Sequence, residues 1–316
     1  MRFVLALAAL AAASAAAAFD LQGHRGARGL LPENTLPAFE RALALGVTTL
    51  ELDIAITRDG VLAIHHDRTL NPDIARDAKG EWLRGEGPPI YSLTWAELQT
   101  YDVGRLRPGS NYARNYPDQQ PLDGTRIPKL SDLFDLVKRS GNERVRFAIE
   151  TKLHPERPHE TLAPEPFARA VVDEIRKAGM QRRSSILSFD WRTLQVVQKI
   201  APEIPTVYLS AQQRWLDNIA ADRSEGSRWT AGFQFREHGS IPKMIKAAGG
   251  TYWSAYFGDL DAQKVKEAQS LGLKVLAWTI NDPATMARIL DLGVDGLITD
   301  RPDLARPILE QKGIRW

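Results

Sequence analysis

The chain has 316 residues, of which 43% are hydrophobic and 25% charged, a composition typical of a globular protein with one large or two small domains. Its 41 basic and 39 acidic side chains leave a formal charge of +2, which argues against nucleic acid or an anionic membrane as the main partner. No stretch after the N-terminus has the apolar length of a membrane-spanning helix, so stable membrane insertion is not expected. No pattern indicates a protein partner.

The N-terminus has the pattern of a secretory signal peptide. Arg2 supplies the positive charge, residues 4–13 form a short apolar run, and alanines at 16–18 suit a cleavage site. The alternative is a buried alanine-rich helix. We therefore predict a signal peptide over residues 1–18 and a mature domain over residues 19–316. The absence of cysteine excludes disulfides and thiolate chemistry and suits export to a periplasm or to the medium, without distinguishing the two.

The mature chain is predicted to alternate between strands and helices. Alternating or continuous apolar runs predict strands at residues 19–24, 48–56, 61–64, 145–151, 185–189, 206–209, 251–255, 273–279 and 296–298. Helical spacing predicts helices at residues 36–45, 95–101, 130–139, 167–178, 191–200, 212–221, 262–271, 283–290 and 303–310. Repeated strand–helix units favour an open doubly wound sheet or a closed barrel. About eight such units in this length favour a (β/α)8 TIM barrel.

Residues 68–125, after the second strand, interrupt this alternation. The stretch is rich in Pro, Gly, Asn, Asp and Arg, and a long irregular segment within a compact domain is usually functional. We predict an insertion subdomain that caps the site, with its aromatic residues as anchors: Trp82, Tyr91, Trp95, Tyr101 and Tyr112. Loops at a barrel mouth set specificity, so residues 107–125 are expected to choose the substrate alcohol.

Carboxylates on two predicted strands indicate a metal site. Glu51 and Asp53 are two residues apart on one strand and therefore face the same side, and Glu150 occupies a similar place on the next barrel strand. Such carboxylates repel one another unless a cation lies between them. The alternative is a solvated strand face. Three carboxylates suit Ca²⁺ or Mg²⁺, with Ca²⁺ slightly favoured because its coordination shell is larger and more flexible.

Histidines and basic residues in the same region indicate acid–base chemistry on a phosphate. His24 and His66 lie near strand ends, and a pair of histidines can carry a proton into and out of one reaction. Strand alternation turns His65 away from His66, so a structural role is expected for His65. Arg25 and Lys152 are expected to bind phosphate oxygens, although surface charge is the alternative for both. Together these residues predict a site that hydrolyses a phosphate diester.

An ordered series of motifs resembles the glycerophosphodiester phosphodiesterase family. In chain order the motifs are HRG at residue 24, PENT at 32, E-x-D at 51, T-x-D-G at 57, H-D-x-T-L at 66, E-x-K at 150, S-F at 188, W-T-x-N at 278 and D-G-x-x-T-D-x-P at 295. The resemblance extends from one end of the mature chain to the other. It implies a TIM barrel that hydrolyses glycerophosphodiesters to glycerol 3-phosphate and an alcohol with the help of a divalent cation.

The resemblance also implies roles for single residues. It places the catalytic histidines at His24 and His66, the metal ligands at Glu51, Asp53 and Glu150, and phosphate-contacting side chains at Arg25 and Lys152. Trp278, which opens W-T-x-N, is expected to contact the substrate. The family's characteristic insertion falls on residues 68–125, expanded here around residues 107–125.

Two other functions share parts of this pattern. A phospholipase-D-like enzyme acting on lysophospholipid or sphingomyelin would share the histidine pair and the E-x-D strand, and would need an apolar membrane-facing loop. A non-catalytic phosphodiester-binding protein would lack a histidine or a carboxylate, whereas this chain has the full set. The sequence leaves open which histidine acts as base, and whether the glycerol 2-hydroxyl or water attacks phosphorus.

Overall fold

The computed structural model describes residues 18–316. The predicted signal peptide therefore lies outside the described residues except for Ala18. Within residues 18–316, no helix combines the length and the apolar character needed to cross a bilayer.

Eleven strands form two sheets within the described residues. They are β1 (Asp20–Gly23), β2 (Thr49–Ile56), β3 (Leu62–Ile64), β4 (Arg146–Thr151), β5 (Ser184–Ser188), β6 (Thr206–Ser210), β7 (Gln212–Gln213), β8 (Leu216–Asp217), β9 (Tyr252–Tyr256), β10 (Lys274–Trp278) and β11 (Gly296–Thr299).

Helices follow most of the strands. They are α1 (Leu36–Ala44), α2 (Trp95–Leu98), α3 (Asn111–Asn115), α4 (Leu130–Arg139), α5 (Pro164–Ala178), α6 (Trp191–Ile200), α7 (Phe235–His238), α8 (Ile241–Ala247), α9 (Ala262–Ser270), α10 (Pro283–Leu290) and α11 (Pro302–Gln311). Short 3₁₀ turns cover Ile90–Ser92, Pro158–Glu160, Gln181–Arg183 and Phe257–Asp259.

Eight of these strands are parallel and close into a barrel. Around the barrel their order is β1, β2, β4, β5, β6, β9, β10 and β11, and β11 pairs with β1 to complete the ring. Gln22 lies opposite Ile298 at this closure, which joins the two ends of the described chain. The predicted (β/α)8 barrel is confirmed. Because all eight strands point the same way, their C-terminal ends meet at one rim, where barrel enzymes place their sites.

Amphipathic helices cover the outside of the barrel. In α5, the apolar residues Phe167, Val171 and Ile175 recur at helical spacing and are fully buried. Gly179 ends that helix in the left-handed conformation, with φ of 72°. Burial of each large apolar side chain stabilises the fold by about 1.5–3 kcal/mol.

One predicted helix, residues 212–221, is wrong. The structure has a hairpin there instead, with β7 paired antiparallel to β8. Side chains take the hydrogen bonds that a helix would need: Asn218 Oδ1 accepts from the backbone N of Ala211 at 2.9 Å, and Asp217 Oδ1 accepts from the backbone N of Ala220 at 2.8 Å. Such local side-chain bonds compete with helix formation.

The segment between β3 and α4 has an apolar cluster of its own. β3 runs antiparallel to β2, and the following residues carry the helices α2 and α3. The buried members of the cluster include Leu70, Ile90, Leu98, Val103 and Ile127. They pack against Ala55 of β2 and Ala63 of β3, so the segment rests on one side of the barrel.

Candidate active site

A cavity of about 410 Å³ opens at the C-terminal rim of the barrel. It is lined by seven of the eight residues predicted from sequence to form the site: His24, Arg25, Glu51, His66, Glu150, Lys152 and Trp278. The eighth, Asp53, is almost completely buried beside them. The structure therefore brings all the sequence-predicted site residues together.

Three carboxylates from adjacent strands meet at the base of this cavity. β2 carries Glu51 and Asp53, and Asp53 lies directly opposite Glu150 of β4 in the parallel register. One oxygen from each of the three lies within 4.8 Å of the others. Burial and the charges of Asp53 and Glu150 raise the pKa of Glu51 well above its usual range. Burial also raises the pKa of Glu150, although the charge of Lys152 opposes this.

The donor set of the three carboxylates fits a hard divalent cation. Asp53 Oδ1 is buried without a hydrogen-bond partner, so an acceptor oxygen at the centre of the group remains free for a ligand. The other oxygens are oriented from behind: the backbone N of Arg25 donates to Glu51 Oε2 at 2.9 Å, and Asn34 Nδ2 donates to Asp53 Oδ2 at 2.9 Å. Oxygen ligands held in this way are those that Ca²⁺ and Mg²⁺ prefer.

His24 follows β1 and is held by the opposite end of the chain. Its Nδ1 lies 2.7 Å from Asp300 Oδ1, at the end of β11. This carboxylate favours the tautomer with the proton on Nδ1, although Arg28 Nη2 also lies 3.0 Å from that nitrogen. In that tautomer Nε2, 3.8 Å from Glu51 Oε2, is unprotonated. Burial and the neighbouring charge of Arg28 lower the pKa of His24 to about 4, although Asp300 opposes the shift. The imidazole is therefore neutral at neutral pH.

Arg28 and Asp300 are functional candidates that the sequence did not single out for a role. Arg28 donates to both carboxylate oxygens of Asp300, from Nε at 2.8 Å and from Nη2 at 3.0 Å. Asn281 Nδ2 donates to Asp300 Oδ2 at 2.7 Å, so this carboxylate is fixed from three sides. The second Arg in HRGAR and the Asp in T-D-x-P were visible signals. The pairing of these two residues could not be predicted from the sequence, because 272 residues separate them in the chain.

His66 faces the cavity and His65 does not. His66 Nδ1 lies 2.7 Å from Asp67 Oδ1, and Asn71 Nδ2 in turn donates to Asp67 Oδ2 at 2.9 Å. Burial and the charges of Arg25 and Lys152 lower the pKa of His66. His65 is buried, with Nδ1 2.8 Å from the carbonyl oxygen of Asp67. The expected opposite orientation of the two side chains is the one observed.

Arg25 and Lys152 bring positive charge to the carboxylates. Arg25 Nη1 donates to Glu33 Oε1 at 2.8 Å, and its Nε lies 3.2 Å from Asp53 Oδ2. Lys152 Nζ lies 2.7 Å from Glu150 Oε1 and 3.5 Å from Asp53 Oδ1. Both cations are nearly buried, and because they line the cavity they can meet an anionic substrate there.

A tight turn places Arg25 against the carboxylates. Arg25 has a φ of 51°, and Gly26 after it has a φ of 85°. A Cβ at position 26 would lie 2.7 Å from the backbone of Ala38 in α1, so only glycine fits this close approach. Thr35, at the N-terminus of α1, accepts a hydrogen bond from the backbone N of Ala38 and caps the helix.

Aromatic side chains form the opposite wall of the cavity. Trp278 packs edge-to-face on Phe189 with ring centroids 5.4 Å apart, and Trp215 of the β7–β8 hairpin lies 6.2 Å from Trp278. Trp229 also lines the cavity. The site therefore has a charged half, built on β1, β2 and β4, and an aromatic half, built on the later loops.

Of the predicted insertion, Arg68 lines the cavity and residues 107–125 do not, so the capping role and the choice of substrate alcohol stay predictions. Tyr112 of α3 instead reaches the back of the site. Its hydroxyl donates to Glu33 and lies 3.1 Å from Arg28 Nη1. The segment thus contacts the arginines, whereas the β7–β8 hairpin and Trp229 contribute to the aromatic side of the cavity.

Comparisons with known proteins agree with this geometry. The model of the glycerophosphoryl diester phosphodiesterase family matches residues 24–304. A glycerophosphodiester phosphodiesterase from Caldanaerobacter subterraneus is 26% identical over 294 residues, which cover 92% of this chain and 97% of that protein. A counterpart from Bacillus subtilis is 28% identical over 286 residues, covering 89% and 83% of the two chains.

A solved structure matches the fold over nearly the whole chain. A Silicibacter pomeroyi protein, provisionally assigned as a glycerophosphoryl diester phosphodiesterase, superposes with a TM-score of 0.84 at 36% identity, covering 95% of each chain. An Oleispira antarctica phosphodiesterase, solved with the product sn-glycerol 3-phosphate, shares the fold at 22% identity, with a TM-score of 0.66 and coverage of 92% and 96%. The chain therefore belongs to the glycerophosphoryl diester phosphodiesterase family.

Proposed function

We propose that this protein hydrolyses glycerophosphodiesters to glycerol 3-phosphate and an alcohol, with His24 and His66 exchanging protons and a divalent cation at Glu51, Asp53 and Glu150. The main support is that two histidines, a carboxylate triad and two buried cations border one cavity. Family membership and the product-bound relative favour the same reaction.

Glu51, Asp53 and Glu150 would hold the cation. When bound, it would neutralise negative charge on the phosphate oxygens and fix the diester at the base of the cavity. Asp53 Oδ1 accepts no hydrogen bond, although Lys152 Nζ lies 3.5 Å away, and the pKa of Glu51 is raised. Both observations support a role for these groups as ligands, since a cation would relieve their mutual repulsion. Ca²⁺ remains slightly favoured over Mg²⁺ by the number of protein carboxylates.

Arg25 and Lys152 would bind the phosphate oxygens that face away from the cation. Both are held in place by carboxylates, so they meet the substrate without first losing side-chain freedom. Positive charge aimed at these oxygens stabilises the charge that develops on them in the transition state. Trp278 would contact the substrate from the aromatic side.

His24 and His66 would act as the proton-transfer pair. Each has Nδ1 against a carboxylate oxygen at 2.7 Å, Asp300 for His24 and Asp67 for His66, so Nε2 of each is available for the reaction. One histidine, with Nε2 unprotonated, removes a proton from the attacking oxygen, and the other, which enters the cycle protonated on Nε2 as well, gives that proton to the departing alkoxide. The attacking oxygen is the substrate's glycerol 2-hydroxyl or water, and a transient cyclic phosphate in ³¹P NMR spectra would identify the former.

The test is release of glycerol 3-phosphate from several glycerophosphodiesters, assayed with and without chelator. Release that stops with chelator and returns with Ca²⁺ or Mg²⁺ is expected. Lysophosphatidylcholine and sphingomyelin serve as comparators. Turnover of these lipids without turnover of the soluble diesters would assign the protein to the phospholipase-D-like class, and diester binding without turnover would assign it to the binding class.

We also propose that the protein is exported, to a periplasm or to the medium, and that residues 19–316 form the mature domain with its insertion at about 68–125. The signal-peptide pattern of residues 1–18 supports this. Cell fractionation combined with mass spectrometry of the N-terminus tests it. A protein that retains Met1 and remains in the cytoplasm would contradict the proposal.

A further inference from the structure

A second cavity continues the active site outward. It has a volume of about 530 Å³ and shares four lining residues with the catalytic cavity: His154, Trp215, Leu216 and Trp229. The two cavities therefore form one groove that runs from the carboxylate triad to the surface, and we call its outer part the outer groove. A diester whose phosphate lies at the triad can extend its alcohol group into the outer groove.

The outer groove is lined by groups with free hydrogen-bonding capacity. Arg214, Arg223 and Glu156 line it, and within the described chain none of the three forms an ion pair within 4.0 Å. Asp217 is partly used, since its Oδ1 accepts from two backbone N–H groups. The two guanidinium groups and the two carboxylates, Glu156 and Asp217, leave the lining with no net charge, so charge does not draw in a cationic alcohol such as choline, and the polar lining disfavours an acyl chain.

Two indole rings flank the passage between the cavities. Trp215 is 60% exposed, the most exposed large hydrophobic side chain among the described residues. Trp229 lies on the other side, with His154 packed against it at 4.6 Å between ring centroids. Flat apolar faces beside hydrogen-bonding groups suit a ring that has C–H groups on its face and hydroxyls at its edge.

The hairpin that carries Trp215 is firmly anchored. Asp259 accepts hydrogen bonds from the backbone N of Gln212 at 2.8 Å and from Gln213 Nε2 at 2.6 Å. Asn218, which is fully buried, donates to the carbonyl of Leu209 at 3.0 Å. The backbone of Trp215 is therefore held at the groove, and its ring packs edge-to-face on Tyr256 and Trp278, with ring centroids 5.5 and 6.2 Å away. A preorganised side chain binds a ligand at lower entropic cost.

We propose that the outer groove binds the alcohol portion of the substrate, and that this portion is a cyclic polyol or a sugar. This inference rests on the proposed diesterase function and specifies its substrate class. Glycerophosphoinositol is the probe, because it carries a hydroxylated six-membered ring. Glycerophosphoethanolamine and glycerophosphocholine are the comparators, since each presents a small cationic alcohol.

The experiment measures kcat/KM for the three diesters in the wild-type protein and in three variants. The wild type should prefer glycerophosphoinositol. Trp215→Ala should lower the ratio of kcat/KM for glycerophosphoinositol to that for glycerophosphoethanolamine by about tenfold, mainly through KM, as loss of aromatic packing and buried area predicts. Trp215→Phe should restore part of the ratio. Arg223→Gln, at a position that lines only the outer groove, should lower the ratio in the same direction.

Trp316→Ala is the matched control. The Trp316 indole donates to the carbonyl of Gly46, which precedes β2, so it lies at the opposite end of the barrel from the site. This variant should keep the wild-type ratio. An equal loss for all three diesters in Trp215→Ala would overturn the inference. A selective loss for glycerophosphocholine would also overturn it and assign the aromatic wall to an organic cation.

Calorimetric titration with glycerophosphoinositol in the presence of chelator measures binding apart from turnover. It therefore tests the outer groove separately from the proposed diesterase function. Weaker binding by Trp215→Ala than by wild type supports the outer groove even if no diester is turned over. Turnover of all three diesters, with identical rankings and identical binding in both proteins, would leave the diesterase function intact and reject the outer groove.

Discussion

At the residue scale, the proton on His24 is assigned by its neighbours. Arg28 and Asn281 fix Asp300, and Asp300 fixes Nδ1 of the imidazole at 2.7 Å. A carboxylate in this position selects one tautomer and stabilises the imidazolium that forms during proton transfer. We therefore propose that Asp300, which follows the last strand of the barrel, positions His24.

Asp300→Asn should lower kcat about 10²-fold, because the amide removes the negative charge and allows the other tautomer. Affinity for Ca²⁺, measured by calorimetry, should stay within about twofold of wild type, since the proposed ligands are untouched. A merely structural role would lower both quantities together. Wild-type kcat in Asp300→Asn would remove Asp300 from the mechanism.

Replacement of His24, His66 and the neighbouring His65 should have different effects on turnover. His24→Ala and His66→Ala should each lower kcat by roughly 10² or more, the usual scale for a positioned proton transfer. His65→Ala should cost far less, because its ring bonds to the backbone of Asp67 and lies outside the cavity lining. If His65→Ala were the most damaging of the three, His65 would be the catalytic partner.

The low pKa of His24 predicts a dependence of stability on pH. The pKa is about 4 in the folded protein and about 6.5 in an unfolded chain. Between these values only the unfolded chain binds the proton, so this contribution is present above pH 6.5 and is lost as the pH falls towards 4. The shift corresponds to on the order of 3 kcal/mol of unfolding free energy.

Urea unfolding of the chelator-treated protein at pH 7.5 and at pH 5 measures this effect. Carboxylates titrate in the same window, so the comparison is between wild type and His24→Gln. The variant should lose less stability on acidification. If both proteins lose the same unfolding free energy, His24 is already protonated in the folded state, or its pKa is lowered less than stated.

At the element scale, two adjacent strands carry the whole carboxylate triad. We expect Ca²⁺ to raise the melting temperature, because a ligand that binds only the folded state stabilises it by mass action. Glu150→Gln should remove most of this increase and most of the turnover. Thr151→Ser, on the same strand, is the control. Full activity in protein shown by elemental analysis to be free of metal would refute the cation assignment.

Strand positions were predictable because the sequence patterns were local. Glu51 and Asp53 lie between buried leucines and isoleucine, and this alternation identifies both the strand and its polar end. The 212–221 segment failed for a related reason. Its helix-like spacing was outweighed by side-chain hydrogen bonds of Asn218, which donates to the carbonyl oxygen of Leu209, nine residues away, and to that of Phe189, 29 residues away.

The position of residues 107–125 was also not predictable from the sequence alone. Its composition indicated a functional loop, and Tyr112 does reach the site. The composition contained no information on which side of the barrel mouth the loop would lie. Its position depends on contacts such as those of Tyr112 with Glu33 and Arg28, which lie 79 and 84 residues away in the chain and which no local pattern specifies.

At the scale of the whole molecule, the barrel is closed by pairing β1 with β11. His24 follows the first of these strands and Asp300 follows the second, so a chain synthesised from its N-terminus presents His24 long before its partner exists. Closure is a contact of very large sequence separation, the kind that forms late in folding. We therefore expect the protein to be inactive until its last strand has docked: a nascent or truncated chain carries both histidines and every carboxylate of the triad, but it lacks the support that orients His24.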